Sequence, residues 1–187
     1  MTTEEIRLTD DVVLRPVRAA DAAAYVRAYE RNRAHLEPWE PIRPDEFYTE
    51  PGQRRRLEAF EQERAAGRIQ RWTFDRGDAE VYGSITLSSI ELGIFLNARM
   101  GYWLDVALIG RGLATAAVNA VCDHALERWN IHRIEAGTNV DNIASQRVLA
   151  KCGFEEIGLS RSHLYINGKW SDSRQFHRIL HTDPVEL

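Results

Sequence analysis

The sequence predicts an α/β (α+β) protein built on a mixed, mostly antiparallel sheet. Three observations lead to this class. Stretches rich in β-branched and aromatic residues run through the middle of the chain, a β–α–β crossing follows them, and a hairpin pattern closes the sequence. Because 187 residues without repeats or low-complexity linkers suit one core, we expect a single domain over residues 1–187.

The first third of the chain predicts one strand and two helices. VVLRPV (12–17) is typical of a short strand, and Asp21 is a candidate cap for a helix over 22–36. The segment 37–52 contains four prolines, which predicts irregular structure. Residues 53–67 have helical composition and end at a glycine, a common helix stop.

The remainder of the chain is predicted to build most of the sheet. Its alternating apolar patterns and turn residues predict six strands and two helices. These are strands over 69–75, 81–92 and 98–108, a helix over 111–129, a strand over 132–138, a helix beginning near Asn142, and a closing hairpin of 153–166 and 173–180 around the turn NGK. The predicted total is seven strands and four helices.

Composition and charge restrict the possible function classes. A net charge of −4 argues against a dedicated DNA or RNA binder, which usually carries a basic excess. The polar start MTTEEIRLTDD predicts no secretory signal, and no apolar run approaches the roughly 18 residues of a membrane span. Cys122 and Cys152 are isolated, and no CxxC or HExxH motif is present. We therefore expect a cytoplasmic protein without DNA, membrane or metal partners.

A glycine-containing junction in WLDVALIGRGLATAAV (103–118) is the first candidate binding motif. An apolar strand meets Gly110 and Gly112, and a helix-forming sequence follows at once. The free N–H groups and positive end of such a helix bind phosphate, and glycines let the ligand approach the backbone. A plain strand-to-helix corner has the same pattern, and neither a Walker loop nor a complete dinucleotide fingerprint is present. The motif alone leaves both interpretations open.

A second motif lies thirty residues downstream in NVDNIASQRVLAKCGFEEIG (139–158). Asn142 is a candidate helix cap, Ser145 falls one turn further, and Gly153 ends the helix before a strand. Capped helices of this kind also occur in many unrelated α/β proteins. The combined order strand–GRGLAT–helix–strand–NxxS–helix–GF is far more specific than either motif alone.

On these motifs the chain resembles the GCN5-related N-acetyltransferase (GNAT) superfamily over nearly its whole length. ALIGRGLAT resembles the acetyl-CoA pyrophosphate loop of that family, and DNIASQRVLAKCGF resembles its helix beside the pantetheine arm. HLEPWEPIRPDEFY, GYWLD and YINGKWSD are similar to the RimJ/RimL-type ribosomal-protein-alanine N-acetyltransferases. The resemblance implies a GNAT fold whose sheet is splayed between the fourth and fifth strands.

The resemblance implies acetyl-CoA as co-substrate and no metal. The residues implied to hold it are Trp103, Leu104, Gly110, Arg111, Gly112, Leu113, Ala114, Thr115, Asn142 and Ser145. The family's phosphate loop usually opens with Gln or Arg, and that position is Ile109 here. Because backbone amides and the helix end carry most of such a site, we expect binding to survive this change.

Acetyl transfer needs a neutral amine, a stabilised oxyanion and a proton for the departing thiolate. The resemblance implies that the backbone N–H of Leu104 is the oxyanion donor and that Ser145 donates to the thiolate. Trp103 would flank the acyl slot, although core packing explains it equally well. Ser145 has a plain alternative as a first-turn helix serine.

The general base is not evident from the sequence. RimL-like relatives have a candidate glutamate on the strand after the NxxS helix, and the matching position is Leu164 here. His163, with a reference pKa of about 6.5, is a substitute candidate, and a structural role on the strand is the alternative. Glu37, Glu40 and Glu91 are further candidates.

The proline-rich loop is a candidate wall of the acceptor site. Glu37, Trp39 and Glu40, with Asp45 nearby, would attract a cationic amine or a basic peptide tail. The alternative is a solvated loop with one buried tryptophan.

The expected function is transfer of an acetyl group to a primary amine by direct attack in a ternary complex. The preferred acceptor is a protein N-terminal α-amine, in particular of a ribosomal protein. A small-molecule amine, such as an antibiotic or aminoacyl compound, and a non-catalytic acyl-CoA-binding module are the alternatives. We expect a monomer or a homodimer.

Overall fold

The alternating stretches of the sequence pair into one mixed sheet in the computed structural model, which describes residues 5–184. The ends of the predicted 1–187 domain, residues 1–4 and 185–187, lie outside the described residues. The strands are β1 Ile6–Arg7, β2 Val13–Pro16, β3 Gln70–Asp75, β4 Gly83–Glu91, β5 Asn97–Leu104, β6 Arg133–Asn139, β7 Glu155–Ile166 and β8 Lys169–Ile179. The α-helices are α1 Ala22–Arg31, α2 Arg33–Leu36, α3 Glu50–Ala65, α4 Leu113–Trp129 and α5 Ile143–Lys151.

The sheet is antiparallel except at one place. Its strand order is β1-β2-β3-β4-β5-β6-β8-β7, and only the pair β5–β6 is parallel. A parallel pair needs a crossover connection, and α4 supplies it. The predicted β–α–β crossing is therefore confirmed at the centre of the sheet.

The parallel pair separates after four residues. Asn97–Met100 of β5 pairs with Arg133–Ala136 of β6, and β5 then continues to Leu104 without a partner on that side. The last residues of β6 pair only with β8. This gap is the predicted splay between the fourth and fifth strands, which are β5 and β6 here because β1 was not predicted.

The two faces of the sheet pack against different helices, because side chains alternate along each strand. On one face, Trp72 and Phe74 of β3 join the core formed with α4 and α5. On the other face, Tyr25 of α1 packs in a second core with Leu57 of α3, and its hydroxyl lies 2.6 Å from Thr73 Oγ1 of β3. The gap between β5 and β6 thus lies between two separate hydrophobic cores.

Three predicted element boundaries were wrong. The helix predicted over 22–36 is interrupted at Asn32, where the buried side chain bonds to a neighbouring loop. The helix predicted from residue 53 begins at Glu50, because Thr49 caps it and a proline is tolerated in a first turn. The strand predicted over 98–108 ends at Leu104, since a 3-10 turn follows Asp105.

A fourth boundary was also wrong: the last strand, predicted over 173–180, begins at Lys169, because Lys169 pairs with Ile166 directly across the turn. The closing hairpin itself is present as predicted. Asn167 and Gly168 both have positive φ, at 47° and 75°, which is typical of a tight two-residue hairpin turn. β7 lies at the sheet edge, with β8 between it and β6. Across residues 5–184, no helix is both long and apolar enough to cross a bilayer.

Candidate active site

A cleft of about 830 Å³ opens where β5 and β6 separate. Residues of β5, the loop before α4, and the starts of α4 and α5 line one end. Residues of α1, α3 and the proline-rich loop line the other end. Its volume lies within the range of small-molecule and cofactor sites.

The loop before α4 presents backbone amides to this cleft. Gly110 and Gly112 both have φ of 76°, a backbone conformation that side chains with a Cβ rarely adopt. α4 begins at Leu113 without a capping side chain, so its first N–H groups have no intrahelical partner. Gly110, Gly112, Leu113, Ala114 and Thr115 all line the cleft. The arrangement is suited to binding an anion.

Of two side chains in this loop, Arg111 differs from expectation and Ile109 does not. Arg111 points away from the cleft lining and pairs with Asp11 at 3.1 Å on an exposed surface, where such pairs are weak. Ile109 does line the cleft and is 50% exposed. The side chains therefore add little polar contact here, and the backbone provides the donors.

A buried aspartate that sequence reasoning missed holds this loop to the first helix. Asp105 accepts hydrogen bonds from the N–H of Ala107 at 2.9 Å and from Asn32 Nδ2 at 2.7 Å, and pairs with Arg31 at 2.7 Å. Asn32 in turn accepts from the N–H of Val106 at 2.8 Å. Burial acts to raise the pKa of Asp105, but these hydrogen bonds outweigh it and lower the pKa.

The register of β5 determines which of its amides face the gap. The N–H of Asp105 donates to the carbonyl of Tyr82, which directly precedes β4, at 2.9 Å. Because hydrogen-bonded and non-bonded pairs alternate in an antiparallel ladder, Leu104, opposite Gly83, directs its N–H and C=O away from β4. Leu104 therefore presents its backbone to the gap between β5 and β6.

The start of α5 places Ser145 beside a tyrosine of β5. Asn142 caps the helix by accepting from the N–H of Ser145 at 3.0 Å. The hydroxyls of Ser145 and Tyr102 are 2.9 Å apart, and both residues line the cleft. Burial raises the pKa of Tyr102 to about 12, so its hydroxyl stays protonated at physiological pH. Sequence reasoning named Trp103 and Leu104 of this strand but missed Tyr102.

The other end of the cleft is lined by aromatic and charged side chains. Trp103 stacks against Tyr29 with ring centroids 5.2 Å apart, and Trp39 and Glu40 also line the cleft. Glu40 pairs with Arg43 at 3.1 Å, so its charge is partly compensated. Two further arginines reach this end and were not predicted; they are Arg56 and Arg71.

Several predicted acceptor and base candidates lie outside the main cleft. Glu37 lines a smaller adjoining pocket of about 90 Å³, while Asp45 and Glu91 are exposed elsewhere. His163 is exposed on β7 and does not line the cleft. Its position follows from topology, because β8 separates β7 from the gap and the β7–β8 register is irregular between Ser160 and Leu164. The structure therefore does not bring His163 to Ser145.

Metal ligands are not gathered at this site. Within the described part of the chain, no three His, Cys, Asp or Glu side chains form a group suited to a metal ion. At the end of the cleft beside α4 and α5, backbone amides and hydroxyls are the donors, and these are suited to phosphate and thioester groups.

Comparison with known proteins gives consistent matches. A family model described as Acetyltransferase (GNAT) domain matches residues 11–155. The probable N-acetyltransferase YjcK of Bacillus subtilis is 35% identical over 170 residues, covering 90% of this chain and 92% of its own. The ribosomal protein uS5-alanine N-acetyltransferase of Escherichia coli is 32% identical over 170 residues, covering 90% of this chain and 88% of its own.

A solved structure extends the match to three dimensions. Mycobacterium smegmatis RimJ in complex with CoA-disulfide superposes with a TM-score of 0.85 at 33% identity, covering 90% of this chain and 82% of that one. The family model, the sequence relatives and the shared fold agree with the splayed sheet and the glycine loop described above. The chain therefore belongs to the GNAT family of N-acetyltransferases, in the RimJ/RimL branch.

Proposed function

We propose that this chain transfers the acetyl group of acetyl-CoA to the α-amine at the N-terminus of a protein, with ribosomal proteins as the acceptor class. The observation that carries the proposal is a single cleft joining the amide-lined loop, the unpaired edge of β5 and the Ser145–Tyr102 pair. The same cleft continues to an open, aromatic end where an acceptor can enter.

The chemistry of the end beside α4 and α5 is suited to acetyl-CoA. Its pyrophosphate would lie on the amides between Gly110 and Thr115 at the positive end of α4. Its pantetheine amides would pair with the free edge of β5 as an additional strand does. Asn142 and Trp103 would border that arm.

The reaction is direct attack of the amine nitrogen on the thioester carbon. A C–N bond forms and the carbonyl oxygen becomes an oxyanion, and the attacking nitrogen loses one proton to solvent water. The carbonyl then re-forms as the C–S bond breaks; the departing thiolate takes up one proton, which solvent water returns to the donor. The N–H of Leu104 faces the gap and would stabilise the oxyanion. The hydroxyl of Ser145 would donate to the thiolate, and Tyr102 would orient that hydroxyl by donating to its oxygen.

The proposal assigns no dedicated side-chain base. An α-amine has a reference pKa of roughly 7.7–8.0, so a substantial fraction is neutral near pH 7.5. A lysine amine at about 10.4 would be protonated under the same conditions. Glu40, a predicted base candidate, lines the cleft but is paired with Arg43. This favours an acceptor that needs little help from a base, which is an α-amine rather than a lysine side chain.

The acceptor class is supported by the relative from Escherichia coli, which is named as a ribosomal-protein alanine N-acetyltransferase. The β7–β8 turn contacts the proline-rich loop through a hydrogen bond from the N–H of Asn167 to the carbonyl of Glu40 at 3.2 Å. These two segments would form the entrance for the peptide. A cytoplasmic location follows from this proposal, since bacterial ribosomal proteins are made there.

Thiol release from acetyl-CoA tests the proposal with three matched acceptors. These are a peptide with a free N-terminal alanine, the same peptide with a blocked N-terminus and a free lysine, and a panel of small amines. We expect turnover mainly with the free α-amine peptide. Turnover restricted to small amines would support the small-molecule alternative, and CoA binding without turnover on any acceptor would support the non-catalytic one.

A further inference from the structure

A buried arginine without a carboxylate partner faces the acceptor end of the cleft. Arg71 of β3 is only 9% exposed. Its guanidinium donates to Ser84 Oγ at 2.8 Å and to Tyr29 Oη at 3.4 Å, and its Nε has no hydrogen-bond partner. Because a buried cation is normally paired, this environment leaves Arg71 incompletely satisfied.

A second arginine approaches the same place from α3. Arg56 lies over the ring of Phe47 at 4.4 Å from its centroid and donates to Gln53 Oε1 at 2.9 Å. Its guanidinium is also near the ring of Tyr29, at 6.0 Å from the centroid. Among the described residues, no carboxylate forms an ion pair with Arg56 or Arg71. The nearby Glu40 is already paired with Arg43.

These cations do not face the expected position of the CoA phosphates. Arg71 contacts Ser84 and lies on the same face of the sheet. This is the face that α1 and α3 cover. The glycine loop precedes α4, which packs on the opposite face. An anion bound between Arg56 and Arg71 would therefore belong to the acceptor.

We propose, on the basis of the N-acetyltransferase function above, that the acceptor carries an anionic group that Arg71 and Arg56 bind while its amine lies at the acetyl carbon. A guanidinium binds carboxylate or phosphate through charge-assisted hydrogen bonds, and both Arg56 and Arg71 line the cleft. The hydroxyls of Ser84 and Tyr29 complete a polar site around that anion.

Strand geometry sets the distance between anion and amine. Arg71 is level with Thr86 of β4 and, across it, with Gly101 of β5. The proposed oxyanion donor, Leu104, lies three residues further along β5. Two strand spacings and three residues along a strand each amount to about 10 Å, so the direct separation is about 14 Å, which about four residues of extended peptide span. The anion is therefore an acidic side chain within the first four residues of the N-terminal peptide.

Peptide variants and arginine variants together test this inference. The peptides begin with Ala, carry Glu, Gln or phosphoserine at the second, third or fourth residue, and are otherwise identical; binding is measured by calorimetry and acetylation by mass spectrometry. For the wild type we expect the Glu peptide to bind about tenfold to a hundredfold more tightly than the Gln peptide, as for a lost charge-assisted hydrogen bond. The phosphoserine peptide distinguishes a carboxylate preference from a phosphate preference.

Arg56→Gln and Arg71→Gln should each abolish most of the Glu-over-Gln preference without changing CoA affinity. Arg54→Gln is the matched control, because Arg54 lies on the same helix but is exposed and paired with Glu50 at 2.6 Å. Thermal unfolding verifies that each variant folds. If the variant at the buried Arg71 does not fold, Arg56→Gln still tests the inference. Equal binding of Glu, Gln and phosphoserine peptides to the wild type would overturn the inference. Acidic preference in binding without acetylation would instead contradict the proposed function alone.

Discussion

At the scale of single residues, the pair Ser145–Tyr102 carries the proposed proton donation. The two hydroxyls are 2.9 Å apart, and the pKa of Tyr102 is raised to about 12 by burial. Removing a positioned acid costs about 10²–10⁴-fold in rate. Because a thiolate is a comparatively stable leaving group, we expect the lower end of this range. We therefore expect Ser145→Ala to lower kcat by about 10²-fold while leaving CoA affinity nearly unchanged.

Tyr102→Phe should lower kcat less, by about tenfold, because it removes only the group that orients Ser145. The double variant should be no slower than Ser145→Ala, since the two hydroxyls act as one unit. Tyr165→Phe is a suitable control, because Tyr165 is exposed on β7. An unchanged kcat in Ser145→Ala would remove Ser145 from the mechanism, and strictly additive effects would show that the two hydroxyls act separately.

Ile109 provides a second test at the residue scale. It lines the cleft where the family usually has Gln or Arg, and it is half exposed. Ile109→Gln adds a hydrogen-bond donor toward the phosphates, so we expect CoA to bind about two- to tenfold more tightly. Calorimetric titration of CoA measures this change, and Ile157→Gln on the exposed side of β7 is the control. Weaker binding in Ile109→Gln would contradict the assigned position of the pyrophosphate.

At the scale of secondary structure elements, Asp105 connects β5 and the loop before α4 to α1. It is fully buried and accepts from Ala107, Asn32 and Arg31. Asp105→Ala would leave buried donors unsatisfied, so we expect a loss of about 2–4 kcal/mol in the free energy of unfolding. Denaturant unfolding measures this loss, and weaker CoA binding should accompany it. Asp123→Ala, an exposed change on α4, should have little effect.

Element boundaries show what a sequence pattern leaves undetermined. Strand and helix identities follow from local periodicity, and these were predicted well. The break at Asn32 and the end of β5 depend on hydrogen bonds between residues more than seventy positions apart, and no local pattern contains them. The start of α3 at Glu50 was missed for a different reason: its proline was taken as a helix breaker, although a first turn tolerates proline.

As with the elements, the parts of the candidate site that lie in contiguous motifs were predicted, and the parts that depend on tertiary contacts were not. The amide loop, Asn142 and Ser145 belong to contiguous motifs, and the structure brings them to one cleft. Tyr102, Arg56 and Arg71 were missed, since their roles depend on which sheet face and which helix meet at the cleft. His163 was a base candidate because it neighbours Leu164, the position that matches the glutamate of RimL-like relatives. The edge position of β7 separates it from the cleft.

At the scale of the whole molecule, the lowered pKa of Asp105 predicts how stability varies with pH. A carboxylate whose folded pKa lies below its unfolded value stabilises the fold fully above that unfolded value, about 3.9. The contribution is lost as the pH falls through the folded pKa. We expect the melting temperature to change little between pH 7 and 5 and to fall below about pH 4, with a smaller fall in Asp105→Asn. An equally steep acid transition in that variant would assign the transition to other groups.

The central claim for the whole molecule is that one cleft brings acetyl-CoA and a protein α-amine together. Mass spectrometry of a peptide with a free N-terminal alanine and an internal lysine, incubated with the enzyme and acetyl-CoA, tests it most directly. The account predicts a single added acetyl group located on the N-terminal nitrogen by fragmentation. Acetylation of the lysine alone, or an unmodified peptide in the presence of enzyme that binds CoA, would contradict it.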